Sequence, residues 1–183
     1  MNTEESLNYA INLWKELMDV GHVPARRAVT FFAGLLLKHN KADVCLEILS
    51  TVQNQQYTTI RNLKVLTLTK LNRLDDTIPI LKSILQIEAG AQVLTFNKDV
   101  LDTLGEQLEK ENNTELLSEF KHLMKIFEDE KHISDLSLDQ QLTSEITTRM
   151  WKQDRNQNRF QSSRPFRPRP NLQRQQVTLH DME

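Results

Sequence analysis

Glycine is scarce in this chain of 183 residues, with only Gly21, Gly34, Gly90 and Gly105. A sheet protein needs more turn glycines than that. Leu is abundant and Glu, Lys and Gln are common, and all of these favour helix, so an all-α fold is expected. A single cysteine, Cys45, excludes an intramolecular disulfide and a Cys-rich zinc site. Its apolar neighbours mark it as a buried, inert thiol, which fits a reducing compartment. No apolar run approaches the roughly 18 residues of a membrane-crossing helix. The most apolar stretch, Ala28 to Leu37, is short and bounded by Arg26, Arg27 and Lys38. A glycine-rich phosphate loop is missing too. His22, His39, His122, His132 and His180 form no metal-ligand spacing with nearby acids, and Glu4-Glu5, Asp75-Asp76 and Glu128-Asp129-Glu130 sit where helix ends are expected. Neither catalysis, a cofactor nor a metal is therefore expected.

The N-terminus, Met1-Asn2-Thr3-Glu4-Glu5, is neither a secretory signal nor an Arg-rich, acid-poor transit peptide. That leaves a cytosolic chain or one without its leader. The net charge of −2 hides an asymmetry. Residues 1–148 carry 15 Lys and Arg against 22 Asp and Glu, a balance of −7, whereas residues 149–183 carry 8 against 3, a balance of +5. An acidic body with a basic tail differs from a uniformly neutral protein.

Apolar periodicity predicts a first helix over about Glu5 to Val20, with Ala10, Leu13, Trp14 and Leu17 as its buried face. Gly21 ends it and Pro24 follows. A second helix is expected over Ala25 to His39, and a third over Ala42 to Gln53 with Leu46, Ile48, Leu49 and Val52 inside. Thr58 caps a fourth, to Leu71, and Asp76 a fifth, to Ile87, in which Pro79 takes the third helical position and removes no needed donor. Residues 88–96 break the pattern. Further helices follow over Lys98 to Glu111, over Glu115 to Lys131 with Thr114 as cap, and over a short amphipathic stretch from Ser137 to Met150. After Trp151 the periodicity ends. Arg155 to Arg174 holds six arginines, three prolines and no acid. Such a segment cannot bury enough apolar surface to offset its ordering entropy, and disorder is expected.

A repeat underlies the first half. Ala10-Ile11-Asn12-Leu13-Trp14-x-x-Leu17 returns 35 residues on as Cys45-Leu46-Glu47-Ile48-Leu49-x-x-Val52, and 32 further on as Thr77-Ile78-Pro79-Ile80-Leu81-x-x-Ile84. Lys38-His39-Asn40-Lys41 likewise aligns with Lys70-Leu71-Asn72-Arg73. A helix hairpin of this size cannot bury its apolar face alone, whereas stacked hairpins share a core. In Ala10, Leu13, Trp14, Leu17, Gly21 and Pro24, followed by a helix ending in Lys38-x-Asn40-Lys41, the chain resembles the pentatricopeptide-repeat family. Arg26-Arg27-Ala28, Leu116-Leu117-Ser118-Glu119-Phe120 and Ile126-Phe127 extend the likeness over roughly two-thirds of the chain. The resemblance implies an α-solenoid, a mitochondrial location and a part in RNA maturation. A mitochondrial ribosomal protein of the same group supplies a competing reading, that of a protein-interaction module. The expected organisation is repeats over residues 1–87, a helical extension over 88–150 and a disordered Arg-rich tail over 151–183.

By that resemblance Thr30 and Asn62 fall at the base-facing position of the repeat, while Lys38 and Lys70 fall where lysines neutralise phosphates. The family's second specificity residue is not matched, since Ala25 and Arg26 stand where Asp or Asn is expected, and the second unit is three residues short. No base-by-base code follows. Arg26 and Arg27 open a helix, where a cation opposes the macrodipole, which raises them as RNA contacts. In the tail, Arg155, Arg159, Arg164, Arg167, Arg169 and Arg174 interleave with Phe160 and Phe166. Arginine supplies phosphate forks and phenylalanine stacking platforms, an RNA-binding composition. Against each stands a plainer reading, as solvated helix-face or tail residues, and Pro165-Phe166-Arg167-Pro168-Arg169-Pro170 also suits a polyproline ligand. The expected partners are RNA, as mitochondrial transcripts, or proteins of a mitochondrial ribonucleoprotein.

Overall fold

Eight α-helices account for nearly all the regular structure in a computed structural model that describes residues 3–52, 57–86 and 94–144. The described residues are mostly helical, in line with the composition. The Arg-rich segment and the end of the stretch expected to run to Met150 lie outside the described residues.

The first helix, α1 (Glu4–Asp19), starts at Thr3, whose hydroxyl accepts from the Ser6 amide, and Glu4 and Glu5 complement the dipole of its first turn. Its buried face differs from the expected one. Leu7 and Ile11 are buried and Trp14 and Met18 partly so, whereas Leu13 and Leu17 face solvent. This helix carries two apolar stripes side by side, and periodicity alone ranks neither above the other. The next two helices, α2 (Arg26–Lys38) and α3 (Ala42–Ser50), receive the Leu7–Ile11–Trp14–Met18 stripe: Trp14 stacks on Phe32 with ring centroids 4.8 Å apart, and Ile11 and Met18 line a cleft with Val44 and Ile48. In α3 the core residues are Ala42, Cys45, Ile48 and Leu49, with Leu46 and Val52 only partly buried.

The centre of the fold is α4 (Thr58–Lys70), which packs against α2, α3 and the three helices α5 (Thr77–Lys82), α6 (Lys98–Lys110) and α8 (Leu138–Thr143). Eight of its residues are buried, polar ones included. Thr67 and Thr69 are satisfied there because each hydroxyl donates to the carbonyl four residues back, at 2.6 and 2.8 Å. The helix begins at Thr58, the residue expected to cap it, so the N-cap is Tyr57, which makes no side-chain cap bond. In α5, Asp76 does occupy the N-cap position, so Pro79 is the third helical residue, but regular helix stops at Lys82 and turns follow to Gln86.

Beyond residue 93, α6 packs on α4 through Val100, Leu101, Leu104 and Leu108, and α7 (Thr114–Asp129) packs on α5 and α6. Its cap is Asn113, whose side chain accepts from the Leu116 amide, and not the expected Thr114. A feature without helical periodicity was not expected at all: β1 (Phe96–Asn97) pairs in parallel with β2 (Ile133–Ser134), Phe96 opposite Ile133. Two-residue strands leave no alternation to detect. The pair ties the chain before α6 to the chain after α7, with Phe96 beside Phe127 at 5.6 Å between centroids.

Four helices end alike. Gly21, Asn40, Asn72 and Lys131 all adopt positive φ, and in each case two successive amides turn back to the last helical turn. For Asn40 the partners are Leu37 and, from the following Lys41, Leu36; for Asn72 they are Thr69 and, from Arg73, Leu68. These are Schellman caps, and glycine and asparagine tolerate them best. The two asparagine caps are 32 residues apart, matching the sequence alignment. Residues through Ser144 form one compact unit, so helices on both sides of residue 87 share a core.

Candidate interaction surface

Helices α2 and α4 run side by side in the same direction. At their N-terminal ends the Arg26 guanidinium lies 3.3 Å from the centroid of the Tyr57 ring; at their C-terminal ends the Lys70 ammonium donates to the Leu37 carbonyl at 2.9 Å. Their shared face holds four of the residues expected to meet RNA. It is already covered, because α8 packs across both helices.

The sequence explains how α8 comes to lie there. Ser137 and Gln140 form a reciprocal capping box that starts the helix, and Asp99 at the start of α6 accepts from the Leu138 amide at 2.8 Å. Leu138 and Leu142 then enter the core. Gly34 of α2 lets Leu142 lie close: a Cβ there would sit 2.7 Å from Leu142 Cδ1 and the leucine would have to shift. At the edges Lys38 pairs with Asp139 at 3.0 Å, and Arg27 donates to the Ser144 carbonyl at 2.6 Å while lying 4.4 Å from the Phe31 ring centroid.

The two expected base readers are corrected by this packing. Thr30 is 5% exposed and its hydroxyl donates to the Arg27 carbonyl, and Asn62 is fully buried. The Asn62 amide donates to the Thr58 and Thr95 carbonyls, and its oxygen accepts from the Asn97 backbone at 2.8 Å. Neither presents an edge to a base; Asn62 instead anchors β1 to α4. Lys38, Lys70, Arg26 and Arg27 remain at the surface, but each is engaged by a neighbour within the chain. Arg155, Arg159, Phe160, Arg164, Phe166, Arg167, Arg169 and Arg174 lie outside the described residues.

A buried arginine escaped the sequence reading. Arg61, on α4, is almost wholly buried, its Nη1 has no hydrogen-bond partner among the described residues, and burial lowers its pKa. The available signal was an arginine one turn from Val65, on a helix that carries eight buried residues. Trp14 Nε1 is also buried without a partner there. Cys45 is buried as expected: burial drives its thiol pKa up to about 11, opposed by the Thr67 hydroxyl 3.3 Å away and by the charge of Lys70. Among the described residues no cluster of His, Cys, Asp or Glu could hold a metal, and no helix is long and apolar enough to cross a membrane.

What the surface does offer is apolar. Most of the exposed large hydrophobic side chains belong to α1, α2 and the turn between them. Leu13 and Leu17 are 43% and 40% exposed on α1, Phe31 and Leu35 47% and 38% on α2. With Trp14 and Phe32 they line one open, almost wholly apolar groove along the α1–α2 seam. Contiguous exposed apolar surface is a common mark of interaction sites. No family model matches this chain, nor does any curated protein or solved structure.

Proposed function

We propose that this chain is a non-enzymatic helical-repeat adaptor whose folded body binds protein, within a mitochondrial ribonucleoprotein. The observation that carries the reading is the division of its surface. The α2–α4 face that would read RNA in a stack of helix hairpins is filled by the chain's own α8, whereas the α1–α2 seam is apolar and open. The acidic balance of residues 1–148 points the same way, since a body of charge −7 repels a phosphate backbone. The repeat itself is supported by the 32-residue step between the Asn40 and Asn72 caps and by the side-by-side order of α2, α4 and α6. The mitochondrial and ribonucleoprotein setting rests on the resemblance to pentatricopeptide-repeat proteins alone.

The test is crosslinking in intact mitochondria, with a chemical crosslinker for protein and ultraviolet light for RNA, each read by mass spectrometry. Protein adducts on α1 and α2 are expected, with none to RNA on α2 or α4. Ultraviolet adducts along the α2–α4 face would overturn the reading.

A second reading, direct RNA association, is favoured by one feature: the +5 balance of residues 149–183, with arginines set among Phe160 and Phe166. Full chain and a chain truncated after Met150 should then differ in filter-binding affinity for single-stranded RNA and in the slope of that affinity with salt. Equal, salt-insensitive binding by the two removes this reading.

A further inference from the structure

We infer that the α1–α2 seam is the docking site for one amphipathic helix of a partner protein, lying parallel to α2 with its C-terminus toward Lys38. This rests on the adaptor reading and names the surface and the chemistry of its partner.

The argument comes from a comparison of α2 with α4 inside the chain. At the 32-residue step, Ala28, Phe31 and Leu35 of α2 correspond to Ile60, Leu63 and Thr67 of α4. The α4 residues are fully or nearly fully covered, and two of them by the preceding hairpin: Thr67 meets Cys45 of α3, and Leu63 lies beside Gly34 and Leu37 of α2. The α2 residues are all exposed. The later seam of this kind, between α3 and α4, is filled by α2, which packs on both helices, and α4 in turn packs on both α5 and α6. The α1–α2 seam is the next one upstream, built from the same kinds of helices, and no described residue fills it.

Both orientation and partner chemistry follow from how α2 fills its own seam. It does so with Val29, Ala33, Leu36 and Leu37, an aliphatic stripe, and with the small Gly34 beside Leu63, the counterpart of Phe31. One of its C-terminal carbonyls, that of Leu37, is met by Lys70 of the next helix in line. Lys38 stands 32 residues before Lys70, in the corresponding place, and its present partner Asp139 is mostly exposed, so the ammonium can exchange it for the end carbonyls of a docked helix. The partner is therefore a helix with aliphatic residues at three- and four-residue spacing and a small residue at the closest approach to Phe31. Burying four half-exposed apolar side chains together with the partner's stripe matches helix-in-groove recognition.

The probe is a stapled helical peptide of residues 24–41 of this chain, carrying Phe31→Lys and Leu35→Lys so that only its buried stripe is apolar. It is titrated into the full chain bearing Trp151→Phe, which leaves Trp14 in the seam as the reporter. Saturable binding with a blue shift of Trp14 emission is expected. Leu13→Glu with Phe31→Glu in the protein should weaken it at least tenfold without changing the thermal melt, since both positions are exposed. Absence of saturable binding, or binding indifferent to those substitutions, overturns the inference. So does a free chain that sediments as a dimer and is dissociated by Leu13→Glu, because the occupant is then a second copy. A failed titration alongside protein crosslinks elsewhere on the body removes the seam and leaves the adaptor reading standing.

Discussion

Asn62 is the sharpest test of this fold, because its two readings differ in energy and not only in geometry. If Asn62 met a base it would be a surface residue, and replacing it would change stability by no more than about 0.5 kcal/mol. In the structure it is buried: its amide donates to Thr58 within α4 and to Thr95 just before β1, and its oxygen accepts from Asn97 of β1. Asn62→Ala deletes all three. It strands the Asn97 amide, whose residue is 1% exposed, and one contact of the Thr95 carbonyl. A net hydrogen bond contributes about 1 kcal/mol, and a buried donor left unpaired costs about 1–3 kcal/mol. Together these give a loss of about 3 kcal/mol, a large share of the roughly 5–15 kcal/mol that holds a domain. Urea unfolding followed by circular dichroism measures it. With a slope of about 2 kcal/mol/M, the midpoint should fall by about 1.5 M. Asn62→Asp should do no better, since it keeps the acceptor but buries a carboxylate with no cation among its three partners. A midpoint lowered by under about 0.3 M, with an unchanged slope, would refute the assignment of Asn62 to the core.

The remaining expectations are simpler. Cys45 is protonated in the folded protein up to about pH 11, against 9.0 for a free thiol, because burial disfavours the thiolate. Its contribution is therefore intact below pH 9.0 and is lost as pH rises toward 11, by about 2–3 kcal/mol relative to a Cys45→Ala chain, read from paired urea titrations at each pH. Arg27→Ala removes the bond to the Ser144 carbonyl, and amide exchange should quicken in residues 138–144 while α6 stays protected; unchanged exchange in α8 would show that Leu138 and Leu142 hold it alone. Asn40→Gly should leave the thermal melt unchanged or raised, whereas Asn40→Val, forced to hold a φ of 55°, should cost about 1–2 kcal/mol, a difference that differential scanning calorimetry resolves.

Helices were legible wherever one apolar stripe dominated. The α6 pattern of Val100, Leu101, Leu104 and Leu108 is unambiguous, and its boundaries fall within a residue of those expected. In α1 two stripes compete, and the wrong one was expected inside, because the choice depends on what lies opposite. Trp14 stacks on Phe32 with Leu7 and Ile11 turned inward and Leu13 and Leu17 turned out. The candidate site failed for a related reason. Thr30, Asn62, Lys38 and Lys70 do lie on adjacent parallel helices, as the 32-residue alignment implies, but Thr30 and Asn62 are sealed beneath their neighbours.

Composition and local chemistry settled the class of the molecule before any packing was considered. Few glycines and many helix formers make helices, Asn40 and Asn72 end two of them with the same backward-turning amides, and Ser137 with Gln140 starts another. These are properties of neighbours in sequence, so sequence carries them. Which face α8 would cover, which stripe of α1 would turn outward and what Asn62 would hold are contacts between residues 18 to 117 apart. Each was decided by volume and hydrogen-bond satisfaction in a shared core, where a side chain's role is set by what arrives opposite it and not by its own type.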